Sequence, residues 1–83
     1  MKKHNHNFVE DYDGLVGFGM NRETDEFTLT YYLQKFADDE FISVLRKRMS
    51  DSDLEELFNY LTLLMKKYLK EEEYHVFFLK EKD

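Results

Sequence analysis

Between Asp51 and Leu69 the chain reads DSDLEELFNYLTLLMKKYL, and Leu54, Leu57, Phe58, Leu61, Leu64, Met65 and Tyr68 recur at spacings of three and four. A helix gathers such residues on one face. At 100° per residue the apolar arc, with Leu69 included, spans roughly 140°. The stretch predicts a central helix of about 17 residues, roughly 25 Å long. Ser52 with Glu55 three residues on makes a capping box, and Ser50 with Asp53 is the alternative register. Asp51, Asp53, Glu55 and Glu56 crowd the end where the helix dipole is positive, and Lys66, Lys67 and Lys70 the end where it is negative. The stripe is wider than a coiled-coil seam requires. Tyr60 flanks it and Leu63 projects from nearly the opposite side. The helix is therefore expected to touch more than one neighbour, and Tyr60 and Leu63 are candidates for contact with a second chain.

The 83 residues are expected to form one domain. A chain of this length buries only about 60% of its unfolded surface. With no cysteine it has neither a disulfide nor a thiolate metal site. Association with further chains is the remaining common route to more burial. The net charge of −6 argues against general nucleic-acid binding and against docking on anionic membranes. No apolar run approaches 18 residues, so no membrane span is expected. Met1-Lys2-Lys3 opens with positive charge, but His-Asn-His-Asn follows where a secretory signal needs an apolar run. A cytoplasmic location is the expectation.

Residues 1–7, MKKHNHN, are polar and expected to be disordered. His4 and His6 would share a face if extended, but two ligands on a free terminus make a poor metal site. Residues 8–23 hold all three glycines and are expected to pack on the helices. Asp13-Gly14 is a turn signal that would join Phe8–Tyr12 and Leu15–Met20 as a short hairpin. The glycine spacing is G-x-x-G-x-G, not the dinucleotide pattern. Residues 24–80 are read as helical. Phe27, Leu29 and Tyr31 alternate with Thr28 and Thr30 as in a strand, yet Leu29, Leu33 and Phe36 fit a helix equally well. Acidic clusters before Phe27, Phe41, Leu54 and Tyr74 favour helix starts, with Thr24 capping the first. A helix over 38–49 would turn Phe41, Val44 and Leu45 inward with Ile42 and Met49 at its margins. One long helix over 26–49 also fits the pattern. Residues 71–80 predict a final helix with Tyr74, Phe77 and Phe78 on one side, followed by a solvated Glu81-Lys82-Asp83 tail.

Two clusters invite a functional reading. Arg46-Lys47-Arg48 either complements a helix C-terminus or forms a docking patch for an acidic partner. Glu72 and His75 form the Glu-x-x-His spacing of di-iron and di-manganese carboxylate bundles. Such a site needs the motif twice, so iron, manganese or zinc would have to sit across a dimer with a further glutamate such as Glu40 or Glu56. The serines lack a base nearby in sequence, and there is no cysteine nucleophile.

The expected fold is mostly α, three to five helices with an irregular or hairpin N-terminal segment. The alternative is α+β, with a small antiparallel sheet from 15–20 and 27–32. Eight Phe and six Tyr exceed what one small core takes up, and surplus aromatics suit interfaces. The expected function is a non-catalytic protein–protein interaction or regulatory domain with no cofactor, partnered by another protein or by itself as a homodimer. Its candidate surface is Tyr31, Tyr32, Tyr60 and Leu63. The alternatives are the metal-carboxylate protein above and an acidic decoy for a basic partner.

Overall fold

The computed structural model describes residues 3–81. Met1 and Lys2, and Lys82 and Asp83, lie outside the described residues, and with them the expectations for the charged start and most of the tail. The helices are α1 (Asn7–Asp11), α2 (Arg22–Phe36), α3 (Asp39–Arg48), α4 (Asp51–Tyr68) and α5 (Glu71–Glu73), and α5 runs into a π-helical turn over Tyr74–Phe78. Among the described residues there is no strand. The fold is therefore mostly α, and residues 27–32 are helix. The chain groups into two compact units, Met1–Arg48 and Met49–Asp83.

In the first unit α1 packs on α2 through aromatic rings. Phe8 stacks on Tyr12 with centroids 5.1 Å apart. Phe27 lies 5.9 Å from Phe8 and 5.6 Å from Tyr12, and Tyr31 meets Tyr12 edge-on at 6.1 Å. Phe27 and Tyr31 reach the same partners because they are one helical turn apart. Val9, 5% exposed, is the one buried apolar side chain among the described residues. Its N–H donates to Gln34 Oε1 at 2.9 Å.

The segment after α1 is a loop, not the second strand of a hairpin, and its backbone bonds go to side chains of α2. Thr28, 3% exposed, accepts from Gly17 N at 3.0 Å and donates to Gly17 O at 3.1 Å. Gly19 N donates to Asp25 Oδ1 at 2.8 Å, and Gly19 has φ +93, a conformation that favours glycine. Tyr12 Oη donates to Leu15 O at 2.7 Å, which lays the ring against Gly14.

Asn21 caps α2: its side chain accepts from Thr24 N at 2.8 Å. The expected Thr24 cap is therefore displaced by three residues, and Thr24 supplies the donor. The chain forms two helices here, as the reading of a separate helix over 38–49 expects, and the alternative of one helix over 26–49 is broken at Ala37-Asp38. Asp38 Oδ2 accepts from Phe41 N at 3.4 Å and Asp38 O accepts from Ile42 N at 2.9 Å, so this side chain starts a new helix where the old one could have continued. Its other oxygen, Oδ1, accepts from Asn5 N at 3.1 Å. Asn5 returns the bond through its own side chain, which accepts from Asp39 N. Asn5 is thus tied to the α2–α3 junction. In α3 no side chain is buried. Phe36 meets Phe41 edge-on at 5.3 Å. Ile42 and Leu45 are half-buried, while Phe41 and Val44, expected inward, are exposed.

In the second unit α4 is the longest helix. Its capping box is Ser50–Asp53: Ser50 Oγ accepts from Asp53 N at 3.0 Å, and Asp53 Oδ2 accepts from Ser50 N at 3.3 Å. The Ser52–Glu55 box is not formed, because Ser50 holds the extended backbone of a cap (φ −72, ψ 163) while Ser52 is already inside the helix. Ser50→Ala is expected to lower stability in urea denaturation by about 1 kcal/mol, and Ser52→Ala to stay within about 0.5 kcal/mol of wild type. The helix ends at the extended Leu69, and Glu73 Oε1 starts α5 by accepting from Lys70 N at 2.8 Å. Leu79 N then reaches Tyr74 O at 3.1 Å, a bond spanning five residues. Tyr74 stacks on Phe78 at 5.4 Å. The expected helix over 71–80 therefore stops at Phe78, and Lys80 at φ 61 turns the chain.

Candidate interaction surface

No residue of α4 is buried. Leu57 and Leu61 are each 45% exposed, and Leu54 and Tyr68 are exposed as well. Leu64 and Met65 are half-buried. The other helical elements of this unit, α5 and the π-helical turn, lie along one flank of α4. There Phe58, Thr62, Met65 and Leu69 with Tyr74 and Phe78 line an open groove of about 550 Å³. At 100° per residue, Leu54, Leu57, Leu61, Leu64 and Tyr68 fall on a narrower strip centred away from that flank. Full burial of one such leucine is worth about 1.5–3 kcal/mol. Exposed apolar strips are a feature that protein-interaction faces share.

Of the four surface candidates, Tyr32, Tyr60 and Leu63 are exposed. Tyr60 borders the α4 strip, and Leu63 lies on the far side of the helix. Tyr31 is engaged inside the first unit. Its ring meets Tyr12, and Lys35 Nζ sits 5.0 Å from its centroid. In the same unit Leu29, Tyr32, Leu33 and Phe36 of α2, with Phe41 and Val44 of α3, are exposed. Arg46, Lys47 and Arg48 are exposed in the last turn of α3.

Glu72 is exposed. His75 Nδ1 lies 2.7 Å from Glu81 Oε1, and the turn at Lys80 brings that carboxylate back. Among the described residues no three His, Asp or Glu side chains converge to hold a metal ion. The groove beside α4 was not foreseen in the sequence. Its signal was the pairing of Tyr74 with Phe78 one turn on.

At the N-terminus His4 pairs with Glu10 rather than His6, and His4 Nε2 lies 3.3 Å from Lys35 Nζ. Glu10 also accepts from Lys3 N at 2.8 Å and His4 N at 3.0 Å. The Lys3 N–H, and after it the His4 side chain, hold the Glu10 carboxyl below its ordinary value of 4.5. A depressed carboxyl stabilises the fold above its unfolded pKa, and that contribution is lost as pH falls through the folded value. The difference in Tm between wild type and Glu10→Gln is thus expected to be full at neutral pH and to shrink below about pH 4.5. A pH-independent difference would contradict this role for the carboxylate.

No family model, curated protein or solved structure matches the chain. Among the described residues, no helix is long and apolar enough to cross a membrane.

Proposed function

We propose that this chain is a non-catalytic protein-interaction module of the cytoplasm that works as a homodimer, with α4 as its contact surface. The observation that carries the reading is the exposed leucine strip of α4, on which no side chain is buried. The physical motive is size. A chain of 83 residues without a disulfide has little core of its own, and association is a common way for such a chain to gain burial. The exposed apolar residues of α2 and α3 leave a second face for a further protein. Native mass spectrometry of the untagged chain tests the reading. A species of twice the 10.2 kDa chain mass is expected. A 10.2 kDa species alone, persisting at high protein concentration, would remove self-association from the account.

A further inference from the structure

The residues of α4 specify how two copies would meet. Within α4 (Asp51–Tyr68), Leu54, Leu57, Leu61 and Leu64 follow a three-four-three spacing, the a and d positions of a heptad seam. Directly beside that seam, seven residues apart, stand Asp53, Tyr60 and Lys67. Seven residues are two turns, so these three form a row along one edge of the seam. The row is acidic at its N-terminal end, aromatic in the middle and basic at its C-terminal end.

Turned end for end, the row complements itself. We infer that α4 pairs with α4 of a second copy in antiparallel orientation, with Leu54 layered against the partner's Leu64, Leu57 against the partner's Leu61, and Asp53 facing the partner's Lys67. The inference rests on the self-association proposed above and adds its direction and register. In this register each layer between Leu54 and Leu64 is leucine on leucine, and the Tyr60 of each copy comes to the two-fold axis. Side chains on a helix lean toward its N-terminus. In an antiparallel pair Asp53 and the partner's Lys67 therefore lean toward each other, at both ends of the interface. The helix dipoles also oppose, each acidic first turn lying beside a basic last turn. A parallel pair would put the two rows on opposite edges of the seam, so that Asp53 could not meet the partner's Lys67. Sliding the antiparallel pair by one heptad would set Asp53 against the partner's Tyr60 in one direction and beyond the partner's α4 in the other. The contact is isologous, so it closes at two copies.

The chain contains no cysteine, so an introduced thiol reports one position. Leu54→Cys and Leu64→Cys are prepared separately, then oxidised alone and as an equimolar mixture. The expected result is a covalent dimer in the mixture and none with either variant alone. A disulfide dimer of Leu54→Cys alone would establish parallel pairing and overturn the inference. If wild type is dimeric and no combination cross-links, this register is wrong while the self-association reading stands. If wild type is monomeric, both fall. Surface charges give a second test that spares the core. Asp53→Lys and Lys67→Asp are each expected to weaken dimerisation roughly tenfold, since two attractive contacts become repulsive. The double swap Asp53→Lys/Lys67→Asp is expected to bind more tightly than either single variant, short of wild type by the loss of the Asp53 cap on Ser50 N. Single variants that dimerise as wild type, or a double swap no tighter than either single variant, would contradict the antiparallel arrangement.

Discussion

On the proposed pairing through α4, Leu61→Asp is expected to leave the protein monomeric, the largest effect of any single substitution. Leu61 sits at the middle of the α4 strip, 45% exposed in the isolated chain. In a two-fold contact each substitution acts twice. Since about half of each leucine is already covered in the single chain, losing the two contacts removes about 1.5–3 kcal/mol, and two carboxylates placed in an apolar seam add a desolvation cost. Dimer affinity should fall at least 100-fold, since each 1.4 kcal/mol is a factor of ten. Leu63→Asp, two residues away in sequence but on the far side of the helix, is the matched control and should leave affinity unchanged. Equal loss in both variants would show that α4 helicity, not the strip, had been damaged.

The second large effect belongs to the first unit. Thr28→Val keeps the shape of a side chain that is 3% exposed but removes the oxygen that serves both Gly17 N–H and Gly17 C=O. Buried polar groups left without partners cost about 1–3 kcal/mol. For a unit this small the fall in Tm should be roughly 5–15 °C. Thr30→Val is the control, because Thr30 Oγ1 only donates back to Glu26 O one turn earlier. It should change stability by less than about 0.5 kcal/mol. Similar losses at both positions would mean that the tie between the glycine loop and α2 contributes little.

How much of this was legible in the sequence follows from how local each cause is. Helix α4 was readable because one stripe, acidic start and basic end agree over 18 residues. Its cap was narrowed to two serines, and the choice depended on which one had extended backbone. Residues 27–32 looked strand-like because α2 has two apolar sides. Phe27 and Tyr31 face α1, while Leu29 and Leu33 stand on another side and are exposed. Superposed, the two sets imitate the alternation of a strand. Between them the buried residue is Thr28, which no hydrophobic pattern marks. The sequence left the glycine segment irregular or a hairpin, and it is irregular because its partners, Thr28 and Asp25, are side chains of a helix that follows it. Local turn signals carry no trace of such partners.

The same distinction holds for the surface candidates. Tyr60 could be placed from α4 alone, since its position on the wheel depends only on helix geometry. Tyr31 could not, because its engagement with Tyr12 depends on how α1 packs. The sequence neighbour Glu72 drew attention to His75, but the nearest carboxylate in space is set by the left-handed turn at Lys80, which returns Glu81 to the ring. Asp38 illustrates the reverse case. It was read as one member of an acidic helix start, and its larger role, joining Asn5 to the α2–α3 break, rests on a contact 33 residues distant in sequence.

Sedimentation equilibrium of untagged wild type beside Leu61→Asp, over a hundredfold range of concentration, tests the central claim most directly. Wild type is expected to rise from the 10.2 kDa chain mass to twice that value and no further, while Leu61→Asp stays at 10.2 kDa with the same helical circular dichroism. Wild type at 10.2 kDa throughout the range would contradict self-association through α4.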